Sequence, residues 1–188
     1  MDALLSSTVL VALAEVGDKT QLLALVLAAR FRKPGPIVAG ILLATLANHA
    51  LAAWLGASAA AWLEGPWFGA AVAVGFIAMG LWTLVPDKLD EDEAPPSGRS
   101  AFVTTLISFF LVEIGDKTQI ATIALGARYG EVLAVTAGTT LGMLVANAPV
   151  VFAGDALIRR VPLKAVRFAA AALFVAMGVW LLWTSWPL

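Results

Sequence analysis

The residues able to do chemistry in this chain are concentrated in two short, nearly identical stretches. Residues 14–21 read AEVGDKTQ and residues 112–119 read VEIGDKTQ. The first supplies Glu15, Asp18, Lys19, Thr20 and Gln21, the second Glu113, Asp116, Lys117, Thr118 and Gln119. Two Glu and two Asp against two Lys leave a charge of −2, which one divalent cation balances. Carboxylate, hydroxyl and amide oxygens are hard donors, suited to Ca²⁺, Mn²⁺ or Mg²⁺ rather than to copper or zinc. Helical spacing would put Glu15 and Asp18 on one face, at i and i+3, with Lys19 at i+4 within pairing reach of Glu15. Gly17 and Gly115 admit close backbone approach or a local break in the helix.

The elements that must position these groups are apolar. Of the 188 residues, 61% are hydrophobic and only 13% charged, and the mean hydropathy is +0.90. A soluble domain carries about 45–50% apolar and about 25% charged residues. The excess has nowhere to go inside one small globule, so the solvent must be lipid. A membrane-spanning helix takes roughly 20 mostly apolar residues, and six segments qualify: 3–29, 36–58, 66–86, 101–127, 131–153 and 165–186. Charges interrupt the first and the fourth. The net charge of −1 and the lack of any basic face exclude a nucleic-acid binder. The absence of cysteine excludes disulfides and thiolate metal sites. The N-terminus has no basic n-region and no small-residue cleavage site, so the first apolar stretch reads as a retained helix.

The two motifs belong to a longer internal repeat. Residues 76–82 (FIAMGLW) and 174–180 (FVAMGVW) stand at the same offset of 98 as the motifs, and the same offset aligns Gly40 with Gly138 and Gly56 with Gly154. Each copy holds three spans, an odd number, so the second copy must lie upside down relative to the first. The expected fold is an all-α integral membrane protein of six transmembrane helices in two inverted three-helix repeats. Residues 1–86 form the first repeat, 87–100 an acidic cytoplasmic linker (DKLDEDEAPPSGRS), and 101–188 the second repeat. Inverted repeats recur in secondary transporters, with the site near the midplane where the copies meet.

Orientation follows from the basic residues. With the N-terminus outside, the inner loops hold Arg30, Arg32 and Lys33, then Lys88 and Arg99, then Arg159, Arg160, Lys164 and Arg167. The outer loops hold only Arg128. Both termini are therefore expected outside, where Trp62, Trp67, Trp183 and Trp186 fit an interfacial belt.

A charge at a helix centre costs roughly 2.5–3.5 kcal/mol, so six unpaired ones would cost on the order of 15–20 kcal/mol. In a purely structural account each Glu pairs with its own Lys. That leaves both aspartates without a cation and gives no reason to repeat the cluster. In a functional account the four carboxylates converge on one site between the copies. Carboxylates this close and this dry cannot all stay ionised, and they titrate as a coupled set. Metal then expels protons and protons expel metal, which is the minimum chemistry of an antiporter.

The paired E-x-G-D-K-T motifs closely resemble the signature of the GDT-type family, the Golgi-type calcium/manganese:proton exchangers, whose bacterial relatives are manganese exporters. The resemblance covers essentially the whole chain. It implies that Glu15, Asp18, Glu113 and Asp116 handle cation and protons, with Lys19, Thr20, Gln21, Lys117, Thr118 and Gln119 in support. It also implies Mn²⁺ or Ca²⁺ as the transported ion, with no further cofactor, and export from the cytoplasm. The chain carries little beyond the minimal core, which points to a bacterial inner (plasma) membrane. The expected partners are the lipid bilayer, the divalent cation and protons, and a homodimer is compatible with so small an exporter.

Other residues carry weaker signals. His49, the only histidine, aligns with Asn147, and Asn48 stands beside it. Such residues commonly make interhelical hydrogen bonds, with a supporting or gating role as the sharper alternative. Gly138, Gly142 and Ala146, like Gly40 and Ala44, read as close helix packing, and Gly80 with Trp82 and Gly178 with Trp180 as matched packing positions. The acidic run Asp90, Glu91, Asp92 and Glu93 reads as a solvated linker, or else a weak cation sensor. Two other functions compete. Paired membrane aspartates suggest an intramembrane aspartyl hydrolase, but a dry dyad would not want a lysine beside each aspartate. An amino-acid exporter of similar size is the other, although two carboxylates per repeat ill suit a zwitterion.

Overall fold

The computed structural model describes residues 1–63, 66–86, 100–154 and 162–185, and all regular structure among them is helical. Eight helices are described: α1 (Asp2–Glu15), α2 (Lys19–Phe31), α3 (Pro34–Trp62), α4 (Pro66–Thr83), α5 (Ala101–Glu113), α6 (Lys117–Tyr129), α7 (Val132–Ala153) and α8 (Leu163–Ser185). The linker 87–100, apart from Ser100, lies outside the described residues. So do Arg159, Arg160 and Trp186.

Three of these helices, α3, α7 and α8, are long and apolar enough to cross a membrane. The surface agrees with a lipid solvent. Leu133 is 86% exposed, and Leu43, Trp54 and Phe168 are also exposed, while Glu15, Thr45, His49, Glu113 and Asn147 are fully buried. A water-soluble protein has the opposite distribution. The chain is an all-helical membrane protein.

The expected spans 3–29 and 101–127 are each two helices, not one. α1 stops at Glu15 and α2 starts at Lys19, and likewise α5 stops at Glu113 and α6 starts at Lys117. The cause is local. Gly17 has φ +81° and Gly115 has φ +77°, a left-handed conformation that side-chain-bearing residues avoid. The expectation of Glu15 and Asp18 on one helical face is therefore corrected, because no continuous helix joins them. The i,i+4 relation of Lys19 to Glu15 falls with it.

Contacts between the copies repeat at the offset of 98. A Cβ on Gly138 would meet the Leu4 carbonyl and the Ser7 side chain, and one on Gly40 would meet the Phe102 carbonyl and Thr105. α1 therefore lies along α7 as α5 lies along α3. In α4 and α8, Gly80 faces Ala171 and Val175 while Gly178 faces Ala73 and Ile77. The Phe76 and Phe174 rings stack at 6.3 Å between centroids. Since Gly80, late in α4, meets Ala171 and Val175, while the earlier Ala73 and Ile77 meet the later Gly178, α4 and α8 run antiparallel.

One pair of matched interfaces differs. A Cβ on Gly56 of α3 would lie 1.9 Å from the Ile123 carbonyl of α6, and one on Gly126 would lie 2.3 Å from the Ala53 carbonyl. Among the described residues, the equivalent surfaces on α2 and α7 are apart. Leu25, Val26, Ala28 and Ala29 there face Val151, Phe152, Ala153 and Gly154 across a cleft of about 490 Å³.

Candidate cation site

Both helix breaks are built alike. Val16 (φ −66°, ψ 113°) and Ile114 (φ −65°, ψ 117°) leave the helix in extended conformation. Asp18 and Asp116 then cap the next helix, at φ −84°, ψ 168° and φ −72°, ψ 162°. The Gly17 N–H donates to Gln21 Oε1 at 2.9 Å, and the Gly115 N–H to Gln119 Oε1 at 2.7 Å. A glutamine three residues after an aspartate cap, reaching back to the entering backbone, is a variant of the capping box. The D-x-x-Q spacing is the sequence signal for it. The motif thus ends one helix, starts the next, and leaves a glutamate at the first helix's last residue.

The breaks bring the carboxylates together. One oxygen each from Glu15, Glu113 and Asp116 lie within 4.8 Å of one another, and all three residues are buried. Thr20 donates its hydroxyl to Glu15 Oε2, and Asn147 Nδ2 approaches the same oxygen at 3.3 Å. Asp116 Oδ2 accepts from the Thr118 hydroxyl at 3.0 Å and from its backbone N–H at 3.3 Å. Lys19 Nζ stands 3.9 Å from Asp116 Oδ1, so this lysine reaches into the other copy. His49 Nε2 lies 3.1 Å from Glu113 Oε2, at ion-pair distance but not aligned as a hydrogen bond.

Several buried acceptors have no hydrogen-bond donor among the described residues: Glu15 Oε1, both Glu113 oxygens and Asn147 Oδ1. Buried polar atoms are nearly always satisfied. A group of unsatisfied oxygens around three carboxylates is chemically suited to a cation. The broken helices add to this, because their last carbonyls lack intrahelical donors. Asn48 Nδ2 takes one of them, the Phe110 carbonyl, at 3.0 Å.

A family model described as "Divalent cation/proton antiporter GDT1" matches residues 3–91 and 101–187. The chain belongs to the GDT1 family. Among GDT1 relatives, a Vibrio cholerae protein described as "Putative manganese exporter" is 53% identical, over 95% of this chain and 90% of that one. A GDT1-like protein of Arabidopsis thaliana is 27% identical over 95% of this chain and 69% of its own. A GDT1-like protein of Synechocystis sp. is 27% identical over 98% of both. No solved structure matches. As a GDT1 member the chain is a membrane transporter of a divalent cation/proton antiporter family, and not an enzyme.

The GDT1 motif residues do not all meet. Glu15, Glu113 and Asp116 form the oxygen trio, with Thr20, Thr118, Asn147, Lys19 and His49 against it. Asp18 is buried nearby and lines a separate small pocket with Gly17, Thr83, Val85, Lys117 and Arg167. Lys117 Nζ donates to the Val85 carbonyl at 2.8 Å and lies 5.7 Å from the Trp82 ring. Gln21 also ties α2 to α7 through the Ala146 carbonyl at 2.9 Å. Sequence reasoning gave Val85 no part, because a backbone carbonyl carries no signal in residue type.

Proposed function

We propose that this GDT1 family member exchanges Mn²⁺ or Ca²⁺ for protons, exporting the cation from the cytoplasm across a bacterial inner membrane. The observation that carries this is the trio of buried carboxylate oxygens from two motif copies, surrounded by acceptors with no donor among the described residues. A divalent ion neutralises the trio and satisfies those acceptors. Its oxygens must be deprotonated to bind metal, so cation and protons compete for the same atoms. The name of the Vibrio relative favours Mn²⁺ and export.

The architecture we propose is six spans in two inverted repeats, residues 1–86 and 101–188, joined by the 87–100 linker on the cytoplasmic side. The matched Gly40 and Gly138 contacts, the stacking of Phe76 on Phe174 and the exchanged Gly80 and Gly178 contacts support it. Equivalent contacts exchanged between copies are the mark of a two-fold relation. Because α4 and α8 run antiparallel, that axis lies across the helices and hence in the membrane plane.

Exchange requires the site to open to each side in turn. The closed α3–α6 interface and the open α2–α7 cleft are two-fold equivalents, which supports alternating access by interchange of the two. On the basic-residue orientation, the cleft lies toward the cytoplasm. In the interchanged state Asp18 takes the place of Asp116 beside the two glutamates, which gives all four carboxylates a part.

The decisive experiment reconstitutes the pure protein in liposomes enclosing a pH dye, with Mn²⁺ or Ca²⁺ added outside. The lumen is expected to lose protons as the cation enters, and Glu15→Gln to abolish the signal. Cation entry without proton movement would mean a uniporter. Absence of both would return the small-solute exporter to the front.

A further inference from the structure

The two copies place different side chains at one position beside the carboxylates. The offset of 98 that maps Glu15 onto Glu113 also maps His49 onto Asn147. The contacts follow the same rule across the copies: Asn147 Nδ2 lies 3.3 Å from Glu15 Oε2, and His49 Nε2 lies 3.1 Å from Glu113 Oε2. One glutamate thus faces an amide and the other an imidazole.

His49 is fully buried, and neither ring nitrogen has a hydrogen-bond partner among the described residues. Burying an imidazole without satisfying it is unfavourable, and asparagine fills the equivalent place in the other copy. The imidazole therefore needs a reason of its own. Two donors at right angles on one ion, each about 2.1 Å from it, stand about 3 Å apart. The separation of His49 Nε2 from Glu113 Oε2 has that value, although His49 lies outside the trio of mutually close oxygens.

We propose that His49 is a nitrogen ligand to the transported ion, paired with Glu113, and that it biases transport toward Mn²⁺ over Ca²⁺. Ca²⁺ takes six to eight oxygen ligands. Imidazole is a common ligand of first-row transition ions, so a nitrogen in place of an oxygen penalises Ca²⁺ and not Mn²⁺. This inference rests on the cation-exchange reading above.

The test compares wild type with His49→Asn, which gives both halves the same side chain, in proteoliposomes at one fixed pH. Initial rates are measured for Mn²⁺ and Ca²⁺ separately. The Mn²⁺ to Ca²⁺ rate ratio is expected to fall about tenfold, a change of about 1.4 kcal/mol in discrimination. An unchanged ratio, or equal loss of both ions, overturns the ligand role and leaves cation exchange standing. A wild type that moves neither ion overturns the exchange reading and this inference with it. A second measurement needs no variant. Pulsed paramagnetic resonance of Mn²⁺ bound to the wild-type protein is expected to show coupling to an imidazole nitrogen, and the chain has one histidine to supply it. Mn²⁺ bound without that coupling overturns the proposal even if His49→Asn fails to insert.

Discussion

Glu15 and Glu113 are each the last residue of a helix, so their carboxylates project into the breaks where the two copies meet. Replacing either by glutamine removes a charge whose cost in a membrane helix is about 2.5–3.5 kcal/mol. Glu15→Gln and Glu113→Gln are each expected to abolish transport while the protein inserts as well as wild type or better. Transport at the wild-type rate by either variant, at matched membrane abundance, would remove the carboxylate site. Gln119 acts differently. It holds the Gly115 N–H at the start of α6, and losing a cap costs about 1 kcal/mol. Gln119→Ala should therefore lower the unfolding midpoint in detergent while leaving the residue set of the site intact. The motif residues and the polar trio Asn48, His49 and Asn147 were all legible as candidates. Their pairing was not, because Glu113 and His49 are 64 positions apart and meet only because α5 lies along α3.

The helices act through small residues. Gly56 and Gly126 let α3 and α6 close to backbone contact, whereas the corresponding part of α2 and α7 stands open. Gly56→Val adds atoms where a single Cβ already falls 1.9 Å from a carbonyl oxygen. It is expected to hold that interface open and to stop the cycle. The chain has no cysteine, so single cysteines report without background. Ala127→Cys, half-buried in the parent protein, should gain reactivity to a thiol reagent when Gly56→Val is added. Unchanged labelling together with normal transport would show that this interface does not gate.

At the scale of the whole molecule, the proposed orientation puts Asp2 outside and the α2–α3 turn inside. Asp2→Cys in intact cells should react with a membrane-impermeant thiol reagent, and Gly35→Cys should react only after permeabilisation. Gly35 suits this because a Cβ there meets nothing within 4 Å. The opposite pattern would invert the topology and with it the direction in which the cleft faces. Cation binding should also weaken as pH falls, since protons and metal compete for the same oxygens. Titrating Mn²⁺ binding in detergent at two pH values measures it, and pH-independent affinity would contradict coupling at this site.

The amino-acid sequence by itself determined the solvent, the repeat and the residues that carry charge. Composition decides the first, because 61% hydrophobic residues cannot be buried in one small globule. A single gapless offset decides the second, and the cost of charge in lipid singles out the third. Only the tertiary structure decided that the first and fourth spans break into half-helices, since glycine permits a positive φ without requiring it. Tertiary packing also chose which carboxylates meet: Glu15, Glu113 and Asp116 come together while Asp18 lines a neighbouring pocket. Two copies of one motif look interchangeable in sequence. They differ in space, where one interface is closed and its counterpart open, and the residues there differ too, since Gly126 and Ala53 of the closed interface answer to Ala28 and Val151 of the open one.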